Sequence, residues 1–237
     1  MTDRQDIAVT LPWMRQGTEL VLAAVDALSD DQLREASPLP GWSRAHVVGH
    51  LARNAEALGR LAHWAATGEE TPMYPSLEAR AAGIEASVAN DAAVLREDLR
   101  SAAADLDRRL SAFDDAAWTA TVRYGTGELV PGTELPWARC REIWLHGVDL
   151  DAGITPRDFP PDLCDAFLEE FVGRLDAKAD CPALVLRPTD RDETWTLGSA
   201  GDTTEVSGPA GELLAWLCGR AYRGLEPTQL PPLPAWS

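Results

Sequence analysis

Helical periodicity fills the first 150 residues of this 237-residue chain and leaves little room for another architecture. The first run covers about residues 8–29, where Leu11, Met14, Leu20, Val21, Ala24, Val25 and Leu28 recur near the spacing of one helix face. Asp30-Asp31-Gln32-Leu33 reads as a short further turn, and Pro38, Pro40 and Gly41 then break the chain. Ser43 is a good N-cap for a second helix reaching about residue 66. After a loop over residues 68–75, a third helix spans roughly 77–114, interrupted if anywhere near Asn90-Asp91. Residues 119–132 gather β-branched side chains around Tyr124-Gly125-Thr126-Gly127 and read as a small hairpin. A fourth helix runs over about 134–151, with Pro136 tolerated in its first turn. Four long amphipathic helices in so short a span predict a bundle.

Beyond a Pro- and Asp-rich linker at 153–161 the pattern changes. A helix at about 161–178 is followed by strands near 183–187, 194–197 and 203–207, and Gly208-Pro209 leads into a final helix over 210–222. The Pro-rich tail, 227–237, is expected to pack as an extended strap or to stay mobile. The expected fold class is therefore α+β: a helical bundle over residues 1–152 and a smaller α+β domain over 160–237.

A formal net charge of -17 argues against a nucleic-acid partner and against adhesion to anionic membranes. An anionic substrate would need a local arginine cluster to overcome that field. Met-Thr-Asp-Arg-Gln-Asp at the start lacks the basic and apolar regions of a signal peptide, and no run approaches the length of a membrane span. Cys140, Cys164, Cys181 and Cys218 lie far apart, without a Cys-x-x-Cys pair, and read as reduced, mostly buried thiols of a cytoplasmic protein. The sequence does not fix the oligomeric state and admits a monomer.

The chemistry lies in Arg-Glu-Ile-Trp-Leu-His-Gly-Val-Asp-Leu, where Glu142 and His146 stand four residues apart on one helix face among Ile143, Trp144, Leu145 and Val148. A carboxylate in such surroundings needs a partner, because an unpaired buried charge is costly. The partner is either His146 itself, in a purely structural pair, or a metal ion. Three more histidines lie on the second helix. His63 points well away from His50 around the axis, and His46 sits in the first turn, where side chains are wetter. His50 lies one turn deeper, among Val47, Val48, Leu51 and Ala52, and is the better candidate. His50, Glu142 and His146 would give the three ligands of a catalytic zinc with an open fourth position, or would hold iron or another divalent ion. Asp149 is spaced to accept a hydrogen bond from a ligand imidazole.

The flanking residues carry a resemblance. Gly41-Trp42-Ser43-Arg44-Ala45-His46-Val47-Val48-Gly49-His50-Leu51-Ala52-Arg53-Asn54-Ala55, His63 to Tyr74, and Arg139 to Leu150 resemble the mycothiol-dependent maleylpyruvate isomerase family. Val206-Ser207-Gly208 and Gly219-Arg220 are similar to its C-terminal part, so the resemblance spans nearly the whole chain. The helical metal motif alone is shared with the wider, functionally mixed DinB-like bundles; the Thr67–Tyr74 loop is more specific to the isomerases.

The resemblance implies a DinB-like four-helix bundle with a C-terminal α+β domain, and zinc on residues matching His50, Glu142 and His146. It also implies an arginine matching Arg220 that activity requires, although Arg220 also reads as a solvated arginine at a helix end. The implied reaction converts maleylpyruvate to fumarylpyruvate. The thiolate of mycothiol adds to one alkene carbon, the bond becomes single and rotates, and the thiolate is expelled. Zinc would favour deprotonation of the thiol, and Arg220 would stabilise the enolate oxygen from between the two domains. Asn54, one turn after His50, would hydrogen-bond cofactor or substrate, or simply pack the helix. The partners expected are a small anionic substrate and a low-molecular-weight thiol. The alternatives are a mycothiol S-transferase, a hydrolase using metal-bound water, and a non-catalytic metal-binding or regulatory module.

Overall fold

The structure, a computed structural model, describes residues 4–235; the first three residues of the N-terminal reading and the last two of the tail lie outside it. The chain divides into two compact units meeting at Ile154 and Thr155. The α+β expectation is borne out.

In the first unit, Asp6 caps α1 (Ile7–Ala27), and a Ser29–Gln32 capping box starts α2 (Asp30–Arg34). Ser43 caps α3 (Arg44–Thr67), which ends at Gly68 with a left-handed φ of 77°. The expected third helix is two: α4 (Leu77–Val88) and α5 (Ala92–Ser111), because Asp91 turns extended and serves as the N-cap of the second. A short α6 (Asp115–Thr119), unanticipated from sequence, precedes the hairpin of β1 (Thr121–Arg123) and β2 (Leu129–Pro131). The unit closes with α7 (Glu134–Asp149).

α1, α3, α5 and α7 form the bundle, and α4 lies along α3. α3 packs on α5, and Leu51, Leu58 and Leu61 of the one and Leu95, Leu99 and Leu106 of the other are fully buried. Two close approaches depend on glycine. A Cβ on Gly17 would lie 2.6 Å from Nε1 of Trp144, whose indole donates to the carbonyl of Trp13 at 2.9 Å. A Cβ on Gly49 would lie 2.8 Å from Cβ of Ser87, so glycine beside His50 lets α4 approach α3.

In the second unit a 3₁₀ turn (Pro156–Asp158) leads into α8 (Pro161–Asp176). β3 (Pro182–Pro188) is the centre of a three-stranded sheet, antiparallel to β4 (Trp195–Leu197) and parallel to β5 (Ala200–Gly208). Phe167, Phe171, Leu186, Val206 and Leu213 are buried. The last helix, α9 (Ala210–Leu217), is shorter than its apolar pattern predicts. Gly219 adopts φ 71° and closes a Schellman motif, with the Gly219 N–H on the Trp216 carbonyl and the Arg220 N–H on the Ala215 carbonyl. Just ahead of the Pro-rich tail, Glu226 pairs through its backbone with Ser207 of β5. Among the described residues no helix is long and apolar enough to cross a membrane.

Replacing Gly17 with valine is expected to destabilise the protein by about 1–3 kcal/mol, the usual range for overpacking a tight contact. Urea unfolding measures it, and an unchanged midpoint would contradict the close passage of α1 over Trp144.

Candidate metal centre

An arginine in the first turn of a helix is opposed by the helix dipole, so Arg44 needs another reason to be there. Arg44 is buried and reaches the C-terminal end of α7: Nε donates to the Leu150 carbonyl at 2.7 Å, and Nη2 to the Asp151 carboxylate at 3.2 Å. Nη1 donates to Glu35 at 2.8 Å. Arg44 thereby satisfies carbonyls that α7 leaves unpaired at its end. Further along, Nη1 of the buried Arg139 on α7 donates to the Leu51 carbonyl and to Oδ1 of Asn54 on α3, each at 2.8 Å. The two arginines tie antiparallel helices at points flanking His50, and so fix His50 opposite Glu142 and His146.

Those three side chains converge, each offering one ligand atom within 4.8 Å of the others. Nε2 of His50 is 2.7 Å from Oε2 of Glu142, and Nε2 of His146 is 3.6 Å from the same oxygen. The imidazoles meet edge to face, with centroids 4.6 Å apart at 84°. Trp42 packs against His50, at 5.6 Å between centroids.

The hydrogen bonds assign the ring protons. Nδ1 of His146 lies 2.8 Å from Oδ2 of Asp149, which is 1% exposed. An ionised carboxylate only accepts, so Nδ1 carries a proton, and Nε2 is the nitrogen turned toward Glu142. On His50, Nδ1 faces Nη2 of Arg80 at 3.2 Å. Arginine only donates, so here the proton is on Nε2 and goes to Glu142. Burial lowers the pKa of His50, with Glu142 opposing, and the ring is neutral. Burial also works against the Glu142 charge, but the His50 hydrogen bond and the nearby Arg141 charge outweigh it and hold its carboxyl well below the usual carboxylate range.

Two imidazole nitrogens and a carboxylate are a donor set suited to zinc or another borderline divalent ion. Asp149 supplies the outer carboxylate that orients a ligand histidine. The residues present fit such an ion.

His46 and His63 are employed elsewhere. Nδ1 of His46 accepts the Ser43 N–H at 3.1 Å, which makes this histidine half of the capping box of α3. His63 is 42% exposed, and its Nε2 lies 3.7 Å from Glu69. Asn54 is buried, and its carbonyl oxygen is engaged by Arg139. Arg220 belongs to the second unit, held by the Schellman motif, with Nη1 donating to the Cys218 carbonyl at 2.9 Å as a helix-end arginine does. Arg44, Arg80 and Arg139 went unread in the sequence as parts of the site. Arg44, a cation at a helix N-terminus, and Arg139, a cation beside apolar Trp137, Ala138 and Cys140, each carry a signal for an unusual role.

The profile of the mycothiol maleylpyruvate isomerase N-terminal domain matches residues 14–151, and that of the MDMPI C-terminal domain matches 158–226. The chain is similar to the crystal structure of a mycothiol-dependent maleylpyruvate isomerase, with 32% identity, full coverage of both chains and a TM-score of 0.93. An uncharacterized protein of Mycobacterium tuberculosis is 28% identical over 215 residues, 79% of this chain and 76% of its own length. YfiT from Bacillus subtilis, described as a probable metal-dependent hydrolase with an unusual four-helix bundle topology, shares the fold. It is 19% identical over 64% of this chain and 89% of its own, with a TM-score of 0.50.

Asp149→Ala frees the His146 ring to rotate and to change tautomer. Zinc affinity is expected to fall about 10- to 100-fold, the usual effect of removing such a partner. Competition against a chromophoric chelator measures this, and an unchanged affinity would show that Asp149 does not orient the ligand.

Proposed function

Because this chain belongs to the mycothiol maleylpyruvate isomerase family, we propose that it is a cis–trans isomerase converting maleylpyruvate to fumarylpyruvate. Its cofactors in this reading are mycothiol and a divalent metal, zinc by the donor set, on His50, Glu142 and His146. The likeness to a solved isomerase over the whole length of both chains carries the reading. The cysteines support it from a different direction. Cys140, Cys164, Cys181 and Cys218 are all buried; burial pushes the Cys140 thiol far up and the Cys164 thiol to about 12. Cys140 and Cys164 are thereby kept as thiols at neutral pH, which suits a reaction whose thiolate comes from a small molecule.

When bound, the metal would supply Lewis acidity that lowers the pKa of a coordinated thiol. Glu142 contributes the one negative charge of the ligand set, and the neutral imidazoles leave the centre with net positive charge to favour a thiolate. Asp149 keeps the His146 lone pair aimed inward. Trp42 packs its ring against His50. Arg220 is proposed, on family likeness, to stabilise the enolate oxygen that forms when the thiolate adds. Asn54 is proposed on position alone to contact the cofactor. The four free thiols suit a reducing cytoplasm, and the net charge of -17 suits a small-molecule partner rather than nucleic acid.

The test is an assay of zinc-loaded protein on maleylpyruvate with and without mycothiol. Formation of fumarylpyruvate only when the thiol is present is the expected result. Turnover without thiol would favour a hydrolase, and accumulation of a stable thiol adduct would favour an S-transferase. His50→Ala and Glu142→Ala are expected to lose both metal and activity, and stoichiometric metal in either would refute the ligand set. Arg220→Ala should retain metal while activity falls; unchanged turnover would remove Arg220 from the mechanism.

A further inference from the structure

Resting on that function, we infer that Arg80, with Tyr74 beside it, is the group that receives a carboxylate of the substrate at the metal centre. Two arginines flank one tyrosine here: the guanidinium carbons of Arg60 and Arg80 each lie 5.9 Å from the centre of the Tyr74 ring. Arg60 is anchored by donating to the Met73 carbonyl at 2.8 Å. Among the described residues, neither Arg60 nor Arg80 forms an ion pair with a carboxylate, although Arg15, Arg44, Arg53, Arg96, Arg100 and Arg109 all do. In a chain of charge -17, two cations left without carboxylate partners beside one site are the local cluster that an anionic substrate requires.

Of the two, Arg80 reaches the metal ligands. Its Nη2 lies on Nδ1 of His50 at 3.2 Å, while the Nε of Arg60 is engaged by the Met73 carbonyl. The close Gly49–Ser87 passage fixes α4 on α3 and so sets where Arg80 starts. Gly125 of the β-hairpin turn lies beside Tyr74: a Cβ added there would sit 3.8 Å from Cδ2 of the ring. The Thr67–Tyr74 segment, the stretch most specific to the family resemblance, thus delivers an aromatic wall to this arginine.

Metal binding also changes what Arg80 can do. His50 now holds its proton on Nε2, the nitrogen that faces Glu142. A neutral imidazole that coordinates through Nε2 carries its proton on Nδ1 instead. Arg80 has donors only and cannot share a bond with Nδ1–H. Loading the centre therefore releases the Arg80 fork from His50, and a substrate carboxylate can take it bidentately. Arg80 is in this sense a substrate-binding residue made available by the metal.

The test uses zinc-loaded full-length protein and succinate, a dicarboxylate without the double bond, so binding is read by calorimetry apart from turnover. Arg80→Met is expected to keep full zinc content and to weaken succinate about 10- to 100-fold, the loss of a charge-assisted hydrogen-bonded pair. Arg80→Lys, which keeps the charge without the fork, should fall between and is the readable variant should Arg80→Met not fold. With maleylpyruvate, Arg80→Met should raise KM more than it lowers kcat. Equal succinate affinity in wild type and the zinc-loaded variants, or no succinate binding by wild type, overturns the proposal. Absence of thiol-dependent turnover in wild type would instead sink the functional reading and leave the succinate comparison intact.

Discussion

The candidate centre depends on one contact, the antiparallel pairing of α3 with α7, and on the arginines that hold its register. Apolar packing alone would allow two helices to slide or roll by part of a turn. Arg44 and Arg139 deny that freedom because each carries fixed donors from one helix to backbone carbonyls of the other. A slip along the axis would strand the Leu150 and Leu51 carbonyls and the arginine donors now on them, at a cost of about 1–3 kcal/mol each. Only in this register does His50 meet a carboxylate and an imidazole spaced one turn apart.

The electrostatics follow from that register. Glu142 remains ionised despite burial because His50 donates to it and both imidazoles lie close. Arg139, deep in the bundle, has its guanidinium pulled down to about 10 by burial, with the Glu142 charge opposing. A polar thread thus runs from Glu142 through His50 to Arg80, with His146 joined to Asp149 beside it. Such a thread is costly in an apolar core unless it does chemistry, and its two imidazoles and one carboxylate are the ligands a divalent ion selects.

The helices and the ligand trio were legible in the sequence because both rest on local rules. Helical patterning marked α1, α3 and α7 and the span of α4 and α5 as one helix, and the four-residue step from Glu142 to His146 put two ligands on one face. His50 was separable from His46 by depth along the helix, and the structure gives a further reason: His46 closes the capping box. What was hidden is what depends on long-range contact. The end of α9 is set by Gly219 in a Schellman motif, where the apolar pattern alone ran on to residue 222. The break at Asn90-Asp91 was visible as a weak point, and the capping geometry at Asp91 made it a true end. Arg80 is thirty residues from His50 and its place depends on how α4 lies across Gly49, which no local pattern encodes.

The central claim is that His50, Glu142 and His146 hold a metal with a position open to a small thiol. X-ray absorption at the zinc edge tests it most directly, on zinc-loaded protein before and after mycothiol is added. The account predicts a first shell of nitrogen and oxygen at about 2.0–2.2 Å without thiol, and a new sulfur scatterer at about 2.3 Å with it. A first shell unchanged by mycothiol, or sulfur present before its addition, would contradict it.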